Sequence, residues 1–150
     1  PPRIVVVDID GTLSDSSARE HHILNGDFDA FHELCHQDPP NRAVVDLLDM
    51  LEDNGVRLIA LTGRPEKYRG KTEAWMIKHM VPVDQVVMRG NNDYGSDIDI
   101  KPANLREAIA EYTDAPLEEA IWFVLEDRDK VVERWRELGL NCWQVKHGGY

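Results

Sequence analysis

Two aspartates one residue apart follow the first apolar run of the chain, in the stretch IVVVDIDGT. Carboxylates held this close repel each other, and a buried strand gains no stability from Asp8 and Asp10. We therefore expect a cation, or a reaction, at this end of the strand.

Polar residues also follow three later apolar runs of the sequence. Each ending alone has an ordinary structural explanation, because Asp and Thr cap helices and Gly makes turns. Four such endings on one edge of one sheet favour a shared site over four separate caps. The three later endings are Thr62-Gly63-Arg64, Arg89 and Glu126-Asp127-Arg128-Asp129.

These residue types, together with a lysine, suit phosphoryl transfer through an aspartyl-phosphate. A carboxylate attacks a phosphate dianion only when the charge between them is screened, and Mg²⁺ supplies that screening. Mg²⁺ prefers oxygen ligands, which the acidic residues provide. A covalent intermediate also divides one difficult displacement into two easier ones.

The elements that would position these residues alternate along the chain. Near-continuous apolar runs that alternate with helical patterns indicate a parallel sheet covered on both faces. We predict a doubly wound, Rossmann-like α/β fold of about five strands, whose ligand site lies at the carboxyl ends of the strands. After the first run, the predicted strands are 56–61, 85–88, 120–125 and 141–145, and the helices are about 41–54, 65–79, 103–113 and 128–138.

Length and composition limit the class of protein. A chain of 150 residues with 42% hydrophobic content predicts one domain, 1–150, with a core of its own. Cys35 and Cys142 are too few for a disulfide framework, so we expect free thiols in a reducing cytosol. No apolar run is long enough to span a bilayer, and we expect no membrane association.

The net charge of −11 disfavours non-specific binding to nucleic acid. The segment RPEKYRGK at 64–71 departs from this average, with four cations and one anion. A local basic patch of this kind could still contact phosphates. Residues 14–41, between the first polar ending and the first long helix, predict a small flap or minimal cap insertion beside the site.

Four of these motifs resemble the haloacid-dehalogenase (HAD) phosphatase superfamily. The motifs are DIDGT after the first strand, LTGR after the second, a later lysine and LEDRD after the fourth. The ending VVERWRELGLNCWQVKHGGY is similar to that of phage polynucleotide kinase/phosphatases, in their 3′-phosphatase half. The stretch KYRGKTEAW after TGR is similar to the same enzymes, and so is the spacing of twelve residues from Arg89 to Lys101.

The resemblance implies four catalytic residues. Asp8 would be the nucleophile and a metal ligand. Asp10 would protonate the leaving oxygen and then deprotonate water, while its carbonyl faces the metal. Thr62 would hold the transferring phosphoryl group, and Lys101 would neutralise charge.

The resemblance also implies metal and substrate ligands. Asp127 would bind Mg²⁺ directly and Glu126 through water. Arg128 would contact substrate, or would form an ion pair with Glu126 or Asp129. The other substrate contacts would be Gly63, Arg64 and Arg89.

The expected function is Mg²⁺-dependent removal of 3′-phosphate from nucleic-acid ends, in a bacterial or phage-infected cytosol. One alternative is a nucleotidase for free nucleoside monophosphates, and another is a non-catalytic domain that binds phosphorylated ends. A kinase domain upstream or a kinase partner, the choice between DNA and RNA, and the oligomeric state stay open.

Overall fold

Five parallel strands form one sheet in the structure, a computed structural model that describes residues 2–150. The strand order is β3-β2-β1-β4-β5. This order reverses direction at β1, where a doubly wound sheet binds its ligands. The predicted five-stranded α/β fold is confirmed. The strands are β1 (Ile4–Val7), β2 (Arg57–Pro65), β3 (Gln85–Arg89), β4 (Ile121–Arg128) and β5 (Cys142–Gly148).

Helices cover both faces of the sheet and also form the connections. No helix in residues 2–150 has the length and apolar character needed to cross a bilayer. The helices are α1 (Glu20–Leu24), α2 (Phe28–Glu33), α3 (Arg42–Asp53), α4 (Arg69–Lys78), α5 (Asp97–Ile109), α6 (Leu117–Ala120) and α7 (Asp129–Glu137).

Strand β1 lies at the centre of two hydrophobic cores. Side chains alternate between the faces of a strand, so Val5 and Val7 belong to the core that contains α3 and α4 residues. Ile4 and Val6 belong to the core that contains α5 and α7 residues. All four side chains of IVVV are buried, which explains why the run is continuously apolar and fixes the position of Asp8 at its end.

The second and fourth strands continue past their predicted ends. Strand β2 therefore includes Thr62, Gly63 and Arg64, and β4 includes the Glu126–Arg128 segment. The pairing register shifts between Leu61 and Pro65 in β2, and between Glu126 and Arg128 in β4. Such irregularities redirect side chains at the end of a ladder, and both occur where the polar residues lie.

Helix α5 begins at Asp97 rather than near residue 103 and contains Pro102 within it. A proline lacks the N–H of a helical hydrogen bond, which made a start at this proline the simpler expectation. Asp97 and Asp99 occupy the first turn, where carboxylates are favoured by the helix dipole. The earlier start places Lys101 on the helix, with a nearly fully buried side chain.

The segment 14–41 forms several short pieces rather than one helix. It contains α1, α2 and a 3-10 turn at Cys35–Gln37. Its two ends are joined by a bridge between Ser14 and Pro40, and Ser14 also bridges Asp10. The segment is therefore tied directly to the loop that carries the first aspartates.

Candidate active site

Asp8 follows β1 at the carboxyl edge of the sheet and is buried. The Nζ atom of Lys101 donates to Asp8 Oδ1 at 2.8 Å and to Glu126 Oε2 at 2.9 Å. Burial disfavours the ammonium, but Asp8 and Glu126 outweigh burial and raise the pKa of Lys101. The lysine is therefore a fixed positive charge at Asp8, as its predicted role requires.

Three buried carboxylates meet beside this lysine. One oxygen from each of Asp8, Glu126 and Asp127 lies within 4.8 Å of the others. Burial and the Asp8 carboxylate raise the pKa of Glu126 to about 7. Burial, Asp8 and Glu126 raise the pKa of Asp127 to about 9. The cluster has more negative charge than Lys101 neutralises.

The donor set of this cluster fits a hard divalent cation. It offers carboxylate oxygens alone, which Mg²⁺ prefers, and a second positive group would offset the burial and the repulsion that raise the two pKa values. Asp8, Glu126 and Asp127 are three of the four predicted metal ligands. The carboxylate of the fourth, Asp10, does not belong to this cluster. Its carbonyl oxygen lies 3.1 Å from the Tyr150 hydroxyl, and that hydroxyl also contacts Asp127.

Two hydroxyl groups hold the oxygens of Asp127. Thr12 Oγ1 lies 3.3 Å from Asp127 Oδ1 and 3.1 Å from Asp8 Oδ2. The Tyr150 hydroxyl donates to Asp127 Oδ2 at 2.6 Å. A Cβ atom on Gly11, which has a φ of +87°, would lie 2.1 Å from that same Oδ2. Glycine is therefore required at position 11 for two reasons: its φ is positive, and Asp127 leaves no room for a Cβ atom.

Asp10 is surrounded by arginines instead of carboxylates. Arg64 approaches Asp10 Oδ1 through Nη2 at 2.8 Å and Asp10 Oδ2 through Nε at 3.1 Å. Arg19 Nη2 lies 2.6 Å from Asp10 Oδ1. Burial alone would raise the pKa of Asp10, but Arg64 and then Arg19 outweigh burial and hold the pKa well below its usual range.

Arg19 was not identified from the sequence. It lies in the 14–41 segment, where its guanidinium also pairs with Asp38, through Nε at 2.8 Å, and stacks over the Phe31 ring. The segment lacks a clear hydrophobic period. Arg19 is an isolated basic residue in this segment, and its partner Asp38 lies nineteen positions later in the sequence.

The structure places Arg64 and Thr62 on the same stretch of β2. The Arg64 side chain is 0% exposed and also donates to Thr72 Oγ1 at 3.0 Å. Its predicted contact with substrate stays a prediction, whereas its contact with Asp10 is direct. The Thr62 hydroxyl accepts from the Arg64 N–H at 3.1 Å, and its phosphoryl contact also stays a prediction.

The remaining predicted substrate residues converge on Asp97. Arg128 Nη1 lies 2.8 Å from Asp97 Oδ2, and Arg89 pairs with Asp97 Oδ1. Arg89 Nε also donates to the Gly63 carbonyl at 2.9 Å. A Cβ atom on Gly63 would lie 2.5 Å from Asp97 Oδ1. Asp97 therefore brings Gly63, Arg89 and Arg128 together.

The basic segment 64–71 is neutralised by its neighbours. Arg69 pairs with Glu66 and Glu73. Lys71 pairs with Glu33 at 2.9 Å, and Lys67 with Asp29 at 3.5 Å. With Arg64 on Asp10, all four cations have carboxylate partners, so the segment is not a bare phosphate-binding surface.

Comparison with known proteins identifies relatives of this arrangement. Residues 2–150 match the family described as the polynucleotide kinase PNKP phosphatase domain. A chain of the Pnkp1/Rnl/Hen1 RNA repair complex is 34% identical, with a TM-score of 0.79 over 99% of this chain. This chain covers only 44% of that relative, so it spans less than half of its length.

More distant solved structures share the fold. A protein from Clostridium acetobutylicum described as a predicted phosphatase aligns at 14% identity over 94% of this chain and 83% of its own, with a TM-score of 0.69. CbbY from Rhodobacter sphaeroides aligns at 15% identity over 100% of this chain and 88% of its own, with a TM-score of 0.66. The chain belongs to the HAD phosphatase superfamily and, within it, to the family of polynucleotide kinase PNKP phosphatase domains.

Proposed function

We propose that this domain is a Mg²⁺-dependent phosphomonoesterase that removes 3′-phosphate from polynucleotide ends through an aspartyl-phosphate. The observation that carries the proposal is the position of Asp8. Its carboxylate is buried, lies 2.8 Å from Lys101 Nζ and belongs to the cluster with Glu126 and Asp127.

The first step is attack by Asp8 on the phosphorus atom. Lys101 holds Asp8 Oδ1, whereas the partner of Oδ2 is the Thr12 hydroxyl, so Oδ2 is the better candidate for the attacking atom. The P–O bond to the sugar breaks as the bond to Asp8 forms. Magnesium, held by Asp8, Asp127, the Asp10 carbonyl and Glu126, would screen the charge between carboxylate and phosphate.

Asp10 would handle the protons of both steps. It gives a proton to the departing sugar oxygen, and its carboxylate then takes a proton from the water that cleaves the aspartyl-phosphate. Phosphate and the free Asp8 carboxylate are the products. Arg64 and Arg19 keep Asp10 ionised in the resting site, which suits the second step. The first step requires Asp10 to gain a proton from solvent, so its contacts with the arginines must weaken when substrate binds.

The family supports a polynucleotide as the substrate. The 34% identical relative belongs to an RNA repair complex. In repair, a phosphatase could remove the phosphate group from the end of a broken strand. A kinase domain in the same polypeptide, or a kinase or ligase partner, is part of this proposal.

A nucleotidase is the second candidate, and the paired cations of the 64–71 segment favour it. A surface whose Lys67, Arg69 and Lys71 already contact carboxylates offers little attraction to the inner phosphates of a strand. The net charge of −11 acts in the same direction.

A phosphate-release assay separates the two candidates. It compares 3′-phosphorylated oligonucleotides, 5′-phosphorylated oligonucleotides and free 3′- and 5′-mononucleotides at several salt concentrations. A polynucleotide 3′-phosphatase prefers the 3′-phosphorylated oligonucleotide, and that preference shrinks as salt rises. Equal, salt-independent rates on mononucleotides would establish the nucleotidase instead.

The contribution of the basic segment is measured in the same assay with the Lys67→Ala, Arg69→Ala double variant. We expect part of the oligonucleotide preference to disappear while mononucleotide turnover stays nearly unchanged. Arg134→Ala is the matched control, because Arg134 forms a comparable exposed pair with Glu137 on α7. An unchanged preference in the double variant would remove this segment from the proposed interface.

A further inference from the structure

Tyr150, which follows β5, reaches the acidic cluster. The Tyr150 hydroxyl lies 2.6 Å from Asp127 Oδ2 and 3.1 Å from the Asp10 carbonyl oxygen. Arg128 holds the Tyr150 backbone, because its Nε donates to the Tyr150 carbonyl at 3.0 Å. The hydroxyl is therefore fixed among the oxygens of the proposed metal site.

The local geometry is built around this contact. A Cβ atom on Gly11 would lie 2.1 Å from Asp127 Oδ2 and 2.7 Å from the Tyr150 hydroxyl. The glycine thus leaves room for the two side chains to meet. Thr12 Oγ1 lies closer to Asp8 Oδ2, at 3.1 Å, than to Asp127 Oδ1, at 3.3 Å, so the Tyr150 hydroxyl makes the shorter hydroxyl contact of the Asp127 carboxylate.

One hydroxyl proton cannot fully satisfy two acceptors. The shorter contact assigns the proton to Asp127 Oδ2, which leaves the Asp10 carbonyl oxygen without a full donor from Tyr150. That carbonyl and Asp127 Oδ1 remain for a cation. Groups that hydrogen-bond a ligating carboxylate fix its orientation, and their loss typically weakens metal binding by 10- to 100-fold.

We propose that Tyr150 is a positioning residue of the metal site, which holds Asp127 Oδ2 so that Asp127 Oδ1 faces Asp8. This inference rests on the proposed magnesium site and extends it to a residue to which the sequence analysis assigned no role. The contacts of its hydroxyl are with Asp127 and the Asp10 carbonyl oxygen, two groups of the proposed metal site, so we expect its effect on metal affinity and not on the chemical step.

The test is calorimetric titration of Mg²⁺ into metal-free wild type, Tyr150→Phe and Tyr112→Phe. Tyr112→Phe is the matched control, because it removes the same atom from a side chain that stacks with Arg57. We expect the dissociation constant to rise about tenfold in Tyr150→Phe and to stay unchanged in Tyr112→Phe. Thermal unfolding in EDTA shows whether both variants fold as the wild type does.

A kinetic readout distinguishes positioning from a general structural role. In Tyr150→Phe, the Mg²⁺ concentration for half-maximal phosphate release should rise by the same factor, while kcat at saturating Mg²⁺ matches that of the wild type. Equal or tighter Mg²⁺ binding by Tyr150→Phe would overturn the inference. Absence of Mg²⁺ binding by the wild type would overturn the magnesium site itself, and the inference with it.

Discussion

Asp8 and Asp10 are separated by one residue and have opposite surroundings. Asp10 shares its site with Asp38 and two guanidinium groups, Arg19 and Arg64, so two negative and two positive charges balance. Asp8 shares its site with Glu126, Asp127 and a single ammonium, that of Lys101. When all three carboxyl groups are ionised, three negative charges there meet one positive charge.

This difference shows which aspartate needs a cation. The arginines depress the pKa of Asp10, whereas burial and neighbouring carboxylates raise the pKa of Glu126 and Asp127. A divalent ion would balance the second cluster and would add excess positive charge to the first. Adjacent carboxylates on one loop can therefore serve as nucleophile and as proton carrier, because the elements packed around them differ.

The largest effect is expected from Asp8→Asn. The amide is nearly isosteric but is not a nucleophile, so turnover should fall by about 10⁴-fold or more. Stability should change little, because Lys101 retains Glu126 as a partner and one repelling charge is removed. Phosphate release and urea unfolding measure the two quantities. Substantial turnover by the purified variant would end the covalent mechanism.

Asp10→Asn should reduce turnover less, and in a way that depends on the leaving group. General acid catalysis contributes about 10²- to 10⁴-fold where the departing oxygen is a strong base. The loss should be large for nucleoside 3′-phosphates and small for activated aryl phosphates. Equal losses on both substrates would leave Asp10 with a role in binding metal or arginine alone.

Arg64→Ala should lower the free energy of unfolding. Removing one partner from a buried ion pair costs about 3 kcal/mol, and Arg64 is fully buried against Asp10. Arg69→Ala, which breaks a partly exposed pair with Glu66, should cost less than about 1 kcal/mol. Similar losses for the two variants in urea unfolding would contradict the distinction between a buried charge cluster and a solvated one.

The residues at the strand ends could be predicted because parallel strands bring their carboxyl ends together. Asp8, Thr62 and Asp127 follow directly from three apolar runs. Lys101 could be proposed only from the family pattern, since its burial depends on an earlier start of α5 than Pro102 suggested.

The partners of these residues could not be predicted in the same way. Arg19 reaches Asp10 from a segment without helical or strand periodicity, and Tyr150 reaches the Asp10 carbonyl across 140 positions of sequence. Asp97 binds Arg89 of β3 and Arg128 of β4 only because the fold brings the start of α5 to the carboxyl ends of both strands. Such contacts depend on tertiary packing, which local patterns do not contain, and they decide which carboxylate is ionised.

The most direct test of the charge difference is the stability of the metal-free protein against pH, with and without Mg²⁺. Glu126 and Asp127 have folded-state pKa values raised to about 7 and about 9, above their unfolded values near 4. Their stabilising contribution is therefore present at low pH and is lost as pH rises through this window, with a slope of up to about 1.4 kcal/mol per pH unit for each group. We predict that the free energy of unfolding falls between about pH 5 and pH 9 without metal, and that saturating Mg²⁺ removes most of the fall. A metal-free stability that is constant across this range and unchanged by Mg²⁺ would contradict the account.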